Sequence, residues 1–237
     1  MTNKLEGKMV KTENKTYGLI LCTLLVLCFS ILVPTYFLIK NEFIDFIRDR
    51  LIANATAAAL AYDGDIIETI TIENQANKAA EISSFQKINS RLESIHPDIK
   101  FVYVMNKNAK GEIVFLVDSV TIDRNGDGKI ADDEMSAPIG EVYKNPTKEM
   151  QDAFIHPTAD KEINQDRWGT FLSGYAPIFN SKNQTVAIVG LDMQSSVVQN
   201  KLNVFYLIGL SAFGLAIVFS ILLSWWLQKK ISKLNFK

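Results

Sequence analysis

The chain has 237 residues, with 25 Lys plus Arg against 26 Asp plus Glu, a net charge of −1 and two cysteines. The near-neutral total hides a division: residues 41–201 hold 16 basic and 24 acidic side chains, a net of −8, and the two ends together carry +7. So acidic a middle argues against nucleic acid as a partner, and Cys22 and Cys28, both inside the first apolar run, leave the middle without a disulfide.

Residues 1–16 are a short basic segment containing Lys4, Lys8, Lys11 and Lys15. Residues 17–39 and 204–227 are uncharged apolar runs, each longer than the roughly 20 residues needed to cross a hydrocarbon core. Lys229, Lys230, Lys233 and Lys237 mark the basic tail, residues 228–237. Short basic flanks stay on the cytoplasmic side during insertion, which predicts two transmembrane helices in a lipid bilayer, both ends inside and residues 40–203 outside. The aromatics agree, with Trp225 and Trp226 at one edge of the second run and Phe205 and Tyr206 at the other. The first run is too long for a signal-peptide core and is followed by no small-x-small cleavage site, so it reads as an uncleaved anchor.

Beyond Asn41, the residues Ile44, Ile47, Leu51, Ala55 and Ala58 recur at intervals of three and four, so the first span is expected to continue as an amphipathic helix until Asp63-Gly64-Asp65. Phe85, Ile88, Leu92 and Ile95 give a second helical stripe, ending before His96-Pro97-Asp98. The texture then becomes β-prone. Phe101 to Met105 and Ile113 to Val117 read as a hairpin, and so do Thr170 to Phe179 and Thr185 to Asp192 around Asn180-Ser181-Lys182-Asn183. Between the hairpins runs an excursion from Thr121 to Arg167, with a short helix expected to start at Pro146. Helices laid on an antiparallel sheet make an α+β domain.

Several of these strings together resemble a known family. Phe101-Val102-Tyr103-Val104-Met105, Val117-Asp118, Ile139-Gly140-Glu141-Val142-Tyr143, Asp166 through Ile178 and Val189-Gly190-Leu191-Asp192-Met193 are similar to the Cache domain, an extracytoplasmic PAS-like sensor of bacterial histidine kinases, chemoreceptors and nucleotide cyclases. The resemblance covers most of residues 41–203. It implies a PAS-like antiparallel sheet with long N-terminal helices, flanked by two transmembrane helices of a bacterial inner-membrane protein, and a ligand pocket on one sheet face. The tail from Leu227 resembles the start of a HAMP linker, and no kinase, cyclase or methyl-accepting region follows it here.

The sharpest chemical motif lies in the excursion. Residues 123–134 fit the calcium-loop pattern D-x-[DN]-x-[DN]-G-x5-E, with Asp123, Asn125 and Asp127 offering side-chain oxygens, Lys129 a carbonyl, Glu134 a bidentate carboxylate and Gly128 the sharp turn. Calcium is the expected occupant, and a solvated acidic turn is the competing account. For a small ligand, Tyr103, Trp168, Tyr175 and Asp192 are the candidate contacts. They make either an aromatic cage with a carboxylate or ordinary core packing, and the resemblance implies the cage. An organic acid or amino acid is the first expectation for that ligand.

His96 and His156 stand alone beside prolines without the spaced partners a metal site or a nucleophile needs, so no enzyme is expected. Ala212, Ala216, Ser220 and Ser224, with Gly209, line one stripe of the second run and suit close helix approach, hence a homodimer. The reading is therefore a receptor that passes a ligand-induced shift across the membrane. Its alternative is a membrane-anchored accessory protein whose partner reads the outer domain.

Overall fold

The computed structural model describes residues 2–124 and 126–234. They form two compact units, the described residues of 1–43 with those of 201–237, and those of 44–200.

The first unit is built from two helices that each continue into the second, α1 (Thr2–Ala59) and α5 (Ser195–Leu234). Within them, Lys15–Ala59 and Ser195–Lys230 are long and apolar enough to cross a membrane. Phe29 meets Phe213 edge to face at 5.3 Å, and Phe43 lies 4.7 Å from Phe205. Ser220 and Ser224 are buried, the first with its Oγ 3.8 Å from Cys28 Sγ and the second donating to the Tyr17 carbonyl at 3.3 Å. This end of the small-residue stripe thus packs on the first helix of the same chain, and exposed Ala212 and half-buried Ala216 remain on its other end.

In the second unit, α1 buries Ile47, Leu51, Ala55 and Ala58, four of the five positions that the helical spacing marks. Asp63 ends this stretch by capping α2 (Gly64–Glu68), its carboxylate accepting from the N–H groups of Asp65 and Ile66. Next comes α3 (Ala79–Ile95), then the antiparallel pair β1 (Ile99–Lys107) and β2 (Ile113–Val117). The expected helix at Pro146 begins two residues later, as α4 (Lys148–Asp152), because the Thr147 hydroxyl caps it by accepting the Met150 N–H at 3.0 Å.

Two short strands, β3 (Thr158–Ala159) and β4 (Asn164–Asp166), pair with β5 (Gly169–Phe179), and β6 (Thr185–Gln194) follows it as the second hairpin arm. The sheet order is β2-β1-β6-β5-β3, with β4 beside β5, so the chain's last strand lies centrally and is bonded on both edges. This is the expected α+β class, an antiparallel sheet preceded by long helices.

Strand alternation divides the sheet's residues between two faces. One face receives the helices: Leu51 of α1 lies directly on Gly174, and the buried Tyr62 hydroxyl donates to Asn89 of α3 at 2.6 Å. The other face carries Phe101, Tyr103, Met105, Phe171, Tyr175 and Ile188 in a cluster completed by Phe115, Trp168, Met150 and Ala153. The long excursion between β2 and β3 therefore returns to cover this second face.

Candidate functional site

Register sets the floor of the site. Across β1, β6 and β5, Phe101 stands beside Asp192 and Asp192 beside Ser173, while in the next row Tyr103 and Tyr175 flank Gly190. A Cβ at Gly190 would sit 2.2 Å from the Tyr103 ring. The glycine therefore gives that ring room to lie over β6, where its hydroxyl donates to Asp192 Oδ1 at 2.8 Å.

Over this floor lies a cavity of about 20 Å³, room for a single water molecule. Tyr103, Trp168 and Asp192 line it, as do Phe101, Phe115 and Tyr143, together with the acids Asp118, Glu134 and Asp166 and one base, Arg124. Three of the four expected ligand contacts are thus brought together. The fourth, Tyr175, is buried in the same cluster but is absent from the cavity lining, and its hydroxyl donates to Asp160 Oδ2 at 3.1 Å.

The roof is the loop after β2. Asp118 accepts the Ser119 N–H at 2.7 Å and the Ala137 N–H at 2.6 Å, which closes the loop's base, and Thr121 and Ser136 join by their hydroxyls at 2.7 Å. Trp168 Nε1 donates to the Met135 carbonyl at 2.8 Å, tying the roof to the start of β5. Arg124 reaches Glu93 of α3 at 3.1 Å and stacks on Phe101, while its Nε is buried with no hydrogen-bond partner among the described residues. Asp166 accepts from the Trp168 and Gly169 N–H groups and from the Tyr143 hydroxyl at 3.1 Å.

Burial dominates the electrostatics. It pushes the Asp192 carboxyl up to about 8 against the opposing hydrogen bonds of Ser173 and Tyr103, with Asp166 and Asp160 adding repulsion. Burial likewise raises Asp118 to about 6, and raises Asp160 and Asp166. The cavity is lined by acids and aromatic rings.

Its roof contains the calcium motif. Asp123 turns its carboxylate onto the N–H groups of Gly126, Asp127 and Gly128, and Asp127 accepts from Lys129 N–H. Glu134 is buried and accepts from Arg124 N–H at 2.9 Å and Ala131 N–H at 3.0 Å. Asn125 lies outside the described residues. Among the described residues no three Asp, Glu, His or Cys side chains gather closely enough to hold a metal ion, so the loop as folded closes on its own amides.

Asp118, Arg124, Tyr143 and Asp166 are lining residues that sequence reasoning left unassigned to the site, and Glu93 supports them from behind. Asp118 directly after a fully apolar strand and Asp166 two residues before Trp168 were the available signals.

No protein-family model matches the chain, and no curated protein does. Solved structures do. The E. coli DcuS sensor domain is 15% identical, with a TM-score of 0.42, over 67% of this chain and 96% of that one. The ligand-binding domain of the Campylobacter jejuni chemoreceptor Tlp3 in complex with L-valine is 14% identical, TM-score 0.43, over 81% of this chain and 66% of its own. In complex with 4-methylisoleucine the same domain gives 11%, a TM-score of 0.45, and 78% and 62%. The chain thus spans less than two thirds of those chemoreceptor domains.

Proposed function

We propose that this chain is a membrane-anchored sensor, oriented with both ends inside, whose outer unit binds a small polar molecule between the sheet and the loop 118–137. One observation carries the reading: the cavity floor includes Asp192 on β6, and β6 passes without a linker into α5. A change at the floor lies three residues from the helix that contains the second apolar span.

The lining also bears on the ligand. Besides Asp192, the carboxyls Asp118, Glu134 and Asp166 face one guanidinium, itself paired with Glu93, so a ligand bringing an amine meets favourable charge and five aromatic rings, whereas an organic acid meets repulsion. Amines and amino acids are therefore favoured over simple organic acids. A cavity the size of one water cannot take such a molecule without displacing the roof. That coupling is what a sensor requires, since a ligand shifts an equilibrium only by its differential affinity for the two states.

A thermal-shift screen of metabolites on the full chain in detergent should give a hit that raises Tm and that Trp168→Ala abolishes. Cross-linking between cysteines in the second span should change on adding that hit, and a cysteine at Lys107 should label from outside with an impermeant thiol reagent. Hits indifferent to Trp168→Ala would remove the cavity from the reading, and hits that leave the second span unchanged would favour the accessory protein.

Calcium is a separate proposal. It requires the carboxylates of Asp123, Asp127 and Glu134, which do not gather around one point among the described residues, to converge on one ion, so its binding would reshape the roof. Millimolar calcium should raise Tm in the parent protein through preferential binding to the folded state, and Glu134→Gln should reduce the shift. An unchanged melting curve in the parent would leave residues 123–134 as an acidic turn.

A further inference from the structure

Resting on the reading of this cavity as the sensing site, we propose that the site also responds to protons: Asp192 is held as a neutral acid while the roof is closed, and its ionisation drives the roof open. The geometry is a small cavity lined by four carboxyls, Asp118, Glu134, Asp166 and Asp192, and by one guanidinium. Asp192 is 5% exposed. An ionised carboxylate there needs a cation or several donors to replace its lost hydration.

What faces Asp192 supplies neither in full. From β1 comes the Tyr103 hydroxyl, from β5 the Ser173 hydroxyl and the ring of Tyr175, from β4 Asp166, from the segment before it Asp160, and from the loop ahead of α4 Tyr143. Two of these groups are acids and none is basic. Arg124, the one base lining the cavity, holds Glu93 and stacks on Phe101. Repulsion from Asp166 and burial thus act in the same direction, and the way to relieve both is to admit water by lifting the roof from its Trp168–Met135 and Asp118–Ala137 hydrogen bonds.

The sign follows from linkage. The folded carboxyl is pushed up to about 8, against roughly 3.9 for an unfolded aspartate. The closed fold therefore binds the extra proton, its stabilisation is complete below the unfolded value, and it is lost as pH rises through the folded one. Lowering pH from about 8 to about 5 should raise Tm, the reverse of ordinary acid denaturation.

The test uses the full chain in detergent, with Trp225→Phe and Trp226→Phe so that Trp168 alone reports. Infrared difference spectra should contain a protonated-carboxyl band at pH 7 that loses intensity in Asp192→Asn. Trp168 emission should shift to the red along a titration with its midpoint near 8, and Asp192→Asn should flatten that titration while keeping the fold, because asparagine still accepts from Tyr103. Asp166→Asn removes a repelling acid and should lower the midpoint.

A protonated-carboxyl band undiminished in Asp192→Asn, a Trp168 titration indifferent to that substitution, or a midpoint unmoved by Asp166→Asn would each overturn the proton response. The small-molecule reading stands or falls separately, on hits sensitive to Trp168→Ala measured at one fixed pH.

Discussion

Gly174→Ala should destabilise the unit of residues 44–200 by about 3 kcal/mol, at the upper end of what overpacking a core costs. Its methyl would lie 2.6 Å from Leu51 Cβ and 2.8 Å from the Leu51 carbonyl carbon and oxygen. Two of these three atoms belong to a helix backbone, so no rotamer change relieves the contact and α1 must move away from β5. The move would also disturb Ile47 and Ala55, buried on the same helix. Chemical denaturation of the full chain in detergent, followed by Trp168 emission in the Trp225→Phe, Trp226→Phe background, measures it. A loss below about 1 kcal/mol would mean that helix and sheet are not in the close contact described.

Much of this architecture is legible in the residues. Phe101 to Met105, Ile113 to Val117 and the Thr170 to Asp192 hairpin are runs of β-branched and aromatic residues bounded by turn chemistry, and they form strands where that pattern puts them. The strands β3 and β4 are two and three residues long, and Asn164-Gln165-Asp166 has no apolar period to betray it, since its pairing is imposed by β5. The helical stripe on α3 is only half right. Phe85 is buried but Ile95 is 56% exposed, and the inward positions it did not mark are Asn89 and Glu93.

The site divides in the same way. Tyr103 and Asp192 alternate toward one face of adjacent strands, which period two reveals. The partners that close the cavity arrive from the excursion by tertiary contact. Arg124 occupies a spacer position in the calcium pattern, and Glu93 reads as one more charge on a solvated helix. Neither role leaves a local signature, and Asp118 is marked only by its place directly after an apolar strand.

Glu93→Ala should be the most damaging single change to the roof. The carboxylate is 10% exposed and has three partners: the Val102 N–H at 2.9 Å, the Ser119 hydroxyl through a short hydrogen bond, and Arg124 at 3.1 Å. Removing it leaves a strand amide without its acceptor and a guanidinium, itself 20% exposed and already short of a partner at Nε, without its counter-charge. Breaking a fully buried pair from one side costs roughly 3–5 kcal/mol, and the partial exposure of Arg124 places this case near about 3 kcal/mol. Arg124→Ala should cost less, because Glu93 retains the Val102 and Ser119 bonds.

The double variant should then be milder than the sum of the two singles by about 1 kcal/mol or more, since the guanidinium that Glu93→Ala strands is no longer there. Denaturation of the four proteins closes the cycle. Strict additivity would mean that the ion pair contributes nothing and that Glu93 acts only by accepting from Val102 and Ser119. In that case Glu93→Gln, which keeps an acceptor oxygen without the charge, should restore most of the stability, whereas a working ion pair predicts that it restores only part.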